Sequence, residues 1–182
     1  RFNPGAAEAH NNLGLAFLDS GRLTAAEAQF RESVRLMPDY AAADNNLAIT
    51  LVRLNRIPEA IAQYEKAIQL VPLYDSAHRN LGDLLMQNGR IPEGIAHFQT
   101  ALRIAPEDPA ARNDFGVALM NAGMLDAARA QLETGLRLNP HLPETHFNLG
   151  NVFFRAGQLA EALDQYTQAL KINPRYGDAH CN

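Results

Sequence analysis

The sequence predicts an all-α protein made of a repeated pair of helices. Three observations predict this fold class: similar residues return every 34 residues, proline and glycine fall at fixed points of that period, and the apolar residues between them follow the spacing of one helix face. The in-phase prolines are Pro38, Pro72, Pro106, Pro140 and Pro174. Small residues form two further series, Gly14, Ala48, Gly82, Gly116 and Gly150, then Ala26, Ala60, Gly94, Ala128 and Ala162. A bulky series follows at Phe30, Tyr64, Phe98, Leu132 and Tyr166.

The register of the repeats follows from these series, and a position is counted here from the first residue of its own repeat. We expect one array over residues 1–182 with five full repeats, at 7–40, 41–74, 75–108, 109–142 and 143–176. Residues 1–6 resemble the tail of a preceding repeat, and residues 177–182 resemble the start of a further, truncated one. The array is therefore expected to continue at both ends in a parent protein.

The first helix of each repeat is predicted from small and apolar residues at helical spacing, as in Ala9, Leu13, Ala16 and Phe17. Its end is predicted where glycine can adopt the left-handed conformation that closes a helix, with asparagine as the next best residue. These residues are Gly21, Asn55, Gly89, Gly123 and Gly157.

The second helix is predicted to start a few residues later and to end before the in-phase proline. Pro58 and Pro92 suit its first turn, because the N–H that proline lacks has no helical partner there. Thr24 and Asp126 are candidate N-caps. Proline can also open the first helix of a repeat, and it does so in the sequence at Pro109 and Pro143.

The small residues predict close packing of the two helices of a repeat. We expect the glycines of the first helix to face the alanines or glycine of the second, with the bulky series filling the space between repeats. A large residue at Gly82 or Ala60 is then expected to be among the most damaging substitutions, because it overpacks the contact.

Composition and charge narrow the functional classes. With 47% apolar and 20% charged residues, the chain has an ordinary globular composition. A net charge of −4 argues against nucleic acid as a partner, since that requires a basic face. The sequence has no apolar run of about 18 residues, so no membrane insertion is expected. The single cysteine, Cys181, permits no intrachain disulfide and leaves the compartment open.

Catalytic and metal motifs are missing from the sequence, so we expect no enzymatic activity and no cofactor. It has no phosphate-binding glycine loop, no Gly-x-Ser-x-Gly and no His-Glu-x-x-His. Histidines do recur in register, at His10, His78, His146 and His180. Equivalent residues of stacked repeats lie roughly 10 Å apart, however, and zinc–nitrogen bonds are only about 2 Å long. We therefore expect structural histidines.

Together, Leu13-Gly14, Phe17, Ala26, Phe30 and Pro38 resemble the tetratricopeptide repeat pattern, and the resemblance covers essentially the whole chain. One departure is the missing tryptophan at position four of the pattern. The slot holds His10, Asp44, His78, Arg112 and His146. The resemblance implies a right-handed α-solenoid whose first helices line a concave groove.

Position six of the repeats holds Asn12, Asn46, Asn80, Asp114 and Asn148. Asparagine is a mediocre helix former, and its carboxamide offers a donor and an acceptor that match a peptide unit. The series resembles the asparagine ladder in the tetratricopeptide superhelix of protein O-GlcNAc transferases, and the similar ladder of armadillo proteins. The resemblance implies that these side chains grip the backbone of an extended peptide, with Asp114 lacking a donor when ionised. The alternative is that they are solvated or join neighbouring helices.

Position five adds Asn11, Asn45, Arg79, Asn113 and Phe147 to the candidate groove. Phe147 is a candidate apolar anchor for a peptide, or else packs against Phe153 or Phe154. We therefore expect a non-catalytic scaffold that binds a protein or peptide partner.

Two alternatives to this scaffold stay open. The array could be the substrate-binding arm of a larger enzyme that resembles protein O-GlcNAc transferase. It could also self-associate through exposed repeat ends, because the second helix of repeat five, about residues 160–173, should present an apolar face.

Overall fold

A computed structural model describes residues 4–175 of the chain. These residues form ten α-helices and no strand. The helices are α1 (Pro4–Asp19), α2 (Leu23–Leu36), α3 (Ala41–Arg53), α4 (Ile57–Leu70), α5 (Asp75–Gln87), α6 (Ile91–Ile104), α7 (Pro109–Asn121), α8 (Leu125–Leu138), α9 (Pro143–Arg155) and α10 (Leu159–Ile172). Two helices fall in each predicted repeat, and α1 extends back into residues 4–6. The all-α helical-repeat fold is confirmed.

The chain divides into two compact units, Arg1–Leu84 and Leu85–Asn182, with the boundary inside α5. In the first unit, α1 packs on α2 and α3 on α4, and α2 also packs on α3 of the following repeat. In the second unit, α7 pairs with α8 and α9 with α10, while α8 packs on α9. Each unit is thus built from the same two contacts, one within a repeat and one between consecutive repeats.

The first helices end as predicted. Asn55 has φ 58°, and the four glycines at the same position have φ between 73° and 78°. Around Asn55, the Arg56 N–H donates to the Leu51 carbonyl at 2.9 Å and the Asn55 N–H donates to the Val52 carbonyl at 2.9 Å. This pair of bonds is the Schellman motif. The residue after the left-handed one then starts the second helix, since the Ala60 N–H donates to the Arg56 carbonyl.

This compact connection explains a wrong prediction. Thr24 and Asp126 are not N-caps, because α2 begins at Leu23 and α8 at Leu125, one residue before them. The N-cap positions belong to Arg22 and Met124, which make no side-chain cap. The first-turn prolines of α4, α6, α7 and α9 are confirmed. A cap that the sequence analysis missed is Asp108, whose carboxylate accepts from the Ala110 N–H at 2.8 Å.

The glycines of the first helices make room for the bulky side chain of the second helix. A Cβ atom at Gly14 would lie 2.6 Å from the ring of Phe30, and one at Gly150 would lie 2.6 Å from the ring of Tyr166. The bulky series therefore packs onto the glycine of its own repeat, where the sequence analysis expected it to fill the space between repeats. Phe30 and Phe98 are fully buried.

Repeat two holds a buried carboxylate at position four. The Asp44 side chain is fully buried, and the Lys66 Nζ donates to its Oδ1 at 2.8 Å, while Oδ2 is buried without a hydrogen bond. Burial raises the pKa of the Asp44 carboxyl, and the ammonium of Lys66 opposes that shift.

Replacing Lys66 by methionine is expected to destabilise the chain by about 2 kcal/mol at neutral pH, because it leaves an uncompensated buried charge. The pKa of Asp44 in the folded state then lies further above its unfolded value. The folded state binds the proton more tightly, so the loss grows as pH rises and disappears below about pH 4. Urea unfolding between those pH values measures it. The only other lysine, Lys171, is exposed, and Lys171→Met serves as the control. A pH-independent loss in Lys66→Met would contradict the prediction.

Candidate functional site

Amide side chains link the first helices of consecutive repeats. In the first unit, Asn46 Nδ2 donates to Asn11 Oδ1 at 3.0 Å, and Asn80 Nδ2 donates to Asn45 Oδ1 at 3.3 Å. In the second unit, Asn148 Nδ2 donates to Asn113 Oδ1 at 3.0 Å. Position six therefore donates to position five of the preceding repeat, so these asparagines do join neighbouring helices.

The two positions differ in burial. The acceptors Asn11, Asn45 and Asn113 are buried, with 4%, 5% and 7% of their surface exposed. The donors are half-buried. Asn80 and Asn148 each use one N–H of the amide in these bonds, and their Oδ1 atoms accept no hydrogen bond from the described residues and are not enclosed. Position five thus supports position six from beneath, and position six retains donor and acceptor capacity at the surface.

Three predicted site residues depart from this arrangement. Asn12 is exposed on α1, and residues 4–175 hold no preceding repeat to which it could donate. Arg79 and Asp114 are half-buried, and each is engaged in an interaction. The Nε atom of Arg79 is buried without a hydrogen bond of its own.

Phe147 is half-buried, and its ring centroid lies 5.7 Å from that of Tyr166. The expected alternative partners were Phe153 and Phe154, so the structure adds a contact with the second helix. Phe154 is the more exposed aromatic residue, with 60% of its surface accessible. As predicted, α10 presents an apolar face in which Leu163 is 66% and Leu170 49% exposed.

Arginines at position thirteen cap the preceding first helix, a role that the sequence analysis did not anticipate. Arg53 Nη1 donates to the Leu18 carbonyl at 3.0 Å, and Arg155 Nη1 donates to the Met120 carbonyl at 3.1 Å. Both carbonyls lie in the last turn of a helix, where they lack a helical partner and where a cation also suits the helix dipole. The signal that could have revealed this role is the recurrence of arginine at the same position of two repeats, close to the end of a first helix.

The position-four histidines make separate structural contacts. His10 Nδ1 is 2.7 Å from Gln29 Oε1, and His146 Nδ1 is 2.8 Å from Gln165 Oε1. His78 Nε2 is 3.2 Å from the Pro72 carbonyl. His180 and Cys181 lie outside the described residues. Within residues 4–175, no group of three or more histidine, cysteine, aspartate or glutamate side chains could hold a metal ion.

The helices of the described segment are too short or too polar to cross a membrane.

Comparison with protein families identifies the repeat. Three family models described as tetratricopeptide repeat match the chain, one over residues 1–41 and 45–109, one over residues 85–149 and one over residues 143–176. No curated protein matches the chain.

Solved structures of tetratricopeptide repeat proteins share the fold. TTC0263 of Thermus thermophilus is 24% identical, with a TM-score of 0.82 over 97% of this chain and 96% of that one. MamA from Desulfovibrio magneticus RS-1 is 18% identical, with a TM-score of 0.77 over 97% and 99%. YrrB, described as a TPR protein with an unusual peptide-binding site, is 23% identical, with a TM-score of 0.66 over 92% and 86%. Taken with the family matches, the 34-residue period and the paired helices, these findings show that the chain belongs to the tetratricopeptide repeat family.

Proposed function

We propose that this chain is a non-catalytic interaction module that binds an extended peptide segment of a partner protein on the surface of its first helices. The tetratricopeptide repeat fold generally supports protein–protein interaction scaffolds. The observation that carries the finer proposal is the position-six asparagines, whose amides are held in place from beneath while part of each amide remains accessible.

Preorganisation is the physical reason that this arrangement suits a peptide. Asn46 and Asn80 are each held by a hydrogen bond to the preceding repeat, so their side chains lose little conformational freedom on binding. An accessible amide oxygen accepts from a peptide N–H, and the second amide hydrogen donates to a peptide carbonyl. Such contacts read the peptide backbone. The partner is therefore selected by its ability to adopt an extended form more than by its side chains.

One structural neighbour supports the same type of ligand. YrrB is described as having a peptide-binding site, and its chain aligns with most of this one. In the second unit, Phe147 offers a half-buried aromatic surface next to Asn148, which could add an apolar contact to the backbone contacts.

The test separates peptide binding from helix linking by a matched pair of double variants. Asn46→Ala with Asn80→Ala removes the accessible amides and two inter-helix hydrogen bonds. Asn11→Ala with Asn45→Ala removes the same two bonds from the buried side and keeps the accessible amides. Each pair is expected to lower stability by a similar amount, about 1 kcal/mol for each bond.

An array of immobilised peptides of about 12 residues, long enough to span two repeats when extended, is the probe. We expect the wild type and the position-five variant to bind the same peptides, and the position-six variant to lose them. Equal loss in the two variants would show that the asparagines only hold the helices together. Equal retention would place the binding surface elsewhere.

A further inference from the structure

The second unit contains two cavities at equivalent places in consecutive repeats. The first has a volume of about 610 Å³ and is lined by Gln99, Leu102, Arg103, Arg112, Phe115 and Gln131. The second has a volume of about 380 Å³, and its lining includes Glu133, Leu136, Arg137, His146, Leu149 and Gln165, each 34 residues after its counterpart. Both volumes fall within the range of small-ligand sites. None of these residues belongs to position five or six.

The two cavities differ in charge. The first contains two guanidinium groups, from Arg103 and Arg112, and no carboxylate. In the second, histidine replaces one arginine and glutamate replaces Gln99, so Glu133 offsets Arg137. At neutral pH the first cavity therefore carries about two positive charges and the second about none. The repeat thus supplies the same frame twice, with a cationic lining only once.

The arginines of the first cavity are held by neutral groups. Arg112 Nη1 donates to Gln131 Oε1 at 3.0 Å and its Nη2 donates to the Pro106 carbonyl at 3.3 Å. Arg103 Nη2 donates to Thr100 Oγ1 at 2.9 Å. The Nε of Arg112 is buried without a hydrogen bond. These contacts fix the guanidinium groups without neutralising them, which is the state of a preorganised anion site.

We propose that this cavity, which we call the Arg103–Arg112 cavity, binds the phosphate group of an organic phosphate monoester. A monoester carries a charge close to −2 at neutral pH, which matches two guanidinium groups better than a single carboxylate does. The volume exceeds what a phosphate alone needs, and Leu102 and Phe115 provide an apolar wall for the organic part. The proposal is independent of peptide binding by the asparagines.

Nuclear magnetic resonance titration of the ¹⁵N-labelled protein with phenyl phosphate, benzoate and inorganic phosphate tests the proposal at constant ionic strength. Phenyl phosphate is expected to shift the Arg103 and Arg112 signals in a saturable manner. Benzoate has the ring without the double charge, and inorganic phosphate has the charge without the ring. Both are expected to bind more weakly. Equal affinity for phenyl phosphate and either of them would overturn the corresponding half of the proposal.

Substitutions in the repeat provide the controls. Gln99→Glu installs the residue that the second cavity has at this place, and Arg103→Gln removes one charge; both side chains are exposed, so the fold is expected to persist. Each is expected to weaken phenyl phosphate binding about tenfold or more, the effect of losing or opposing one charge-assisted hydrogen bond. Arg137→Gln, the equivalent change in the second cavity, is expected to have no effect. Binding that Arg137→Gln weakens equally would reflect nonspecific attraction to exposed arginines and would overturn the site.

Discussion

Phe98→Ala is expected to destabilise the second unit by about 3–5 kcal/mol. Phe98 is fully buried, and its ring stacks on Phe115 with centroids 4.8 Å apart and planes 16° from parallel. It belongs to a core cluster that includes Leu119 and Leu132. Removing the ring loses apolar burial and a favourable aromatic pair, and leaves a cavity that helices on all sides cannot close.

The same substitution at an exposed site provides the control. Phe154 lies in the same unit with 60% of its surface accessible, so Phe154→Ala is expected to change stability by at most about 0.5 kcal/mol. Urea denaturation followed by circular dichroism gives both values. Hydrogen exchange adds a regional readout, because a repeat protein communicates mainly through neighbouring repeats. The prediction fails if Phe98→Ala costs less than about 1 kcal/mol, or if Phe154→Ala costs as much.

Gly116→Val is expected to cost about 3 kcal/mol through overpacking. A Cβ atom at Gly116 would lie 2.6 Å from Leu132 Cγ and 3.3 Å from the backbone carbonyl oxygen of Ala128. Neither neighbour can withdraw easily, since Leu132 is fully buried and the carbonyl belongs to helix α8. Gly116→Ala should cost less, because alanine gains about 1 kcal/mol of helix propensity that partly offsets the clash.

Two further variants establish the cause. At Gly135, also within α8, a Cβ atom would be 3.4 Å from its nearest neighbour, so Gly135→Ala should leave stability unchanged or raise it by up to about 1 kcal/mol. In a double-mutant cycle, Leu132→Ala should relieve the clash of Gly116→Ala, so that the pair costs less than the sum of the single changes. Additive costs would show that Leu132 is not the obstacle.

Much of the fold could be predicted from the sequence because its signals are local. A left-handed helix end requires glycine or asparagine whatever surrounds it, so Asn55 could be predicted along with the four glycines. The N-caps could not be predicted in the same way. Arg22 closes one helix through its N–H to the Phe17 carbonyl and opens the next through its carbonyl, and neither role leaves a mark in its side chain.

The candidate site shows the same limit. The period identified Asn46, Asn80 and Asn148 as a series, but the direction and the partners of their hydrogen bonds depend on the distance between two helices. The packing of Phe30 on Gly14 was also missed, because both side chains are compatible with either neighbour until the helices are docked. By contrast, the charge difference between the two cavities can be read from the sequence once the register is known.

The direction of the bonds between repeats has a consequence for synthesis on the ribosome. At every described asparagine link, and at both arginine caps, the donor belongs to the later repeat and the acceptor to the earlier one. A repeat that has just left the exit tunnel therefore displays acceptors such as Asn11 Oδ1 and the Leu18 carbonyl before their donors exist. Because chains emerge from the N-terminus, each finished repeat acts as a template on which the next one settles during translation.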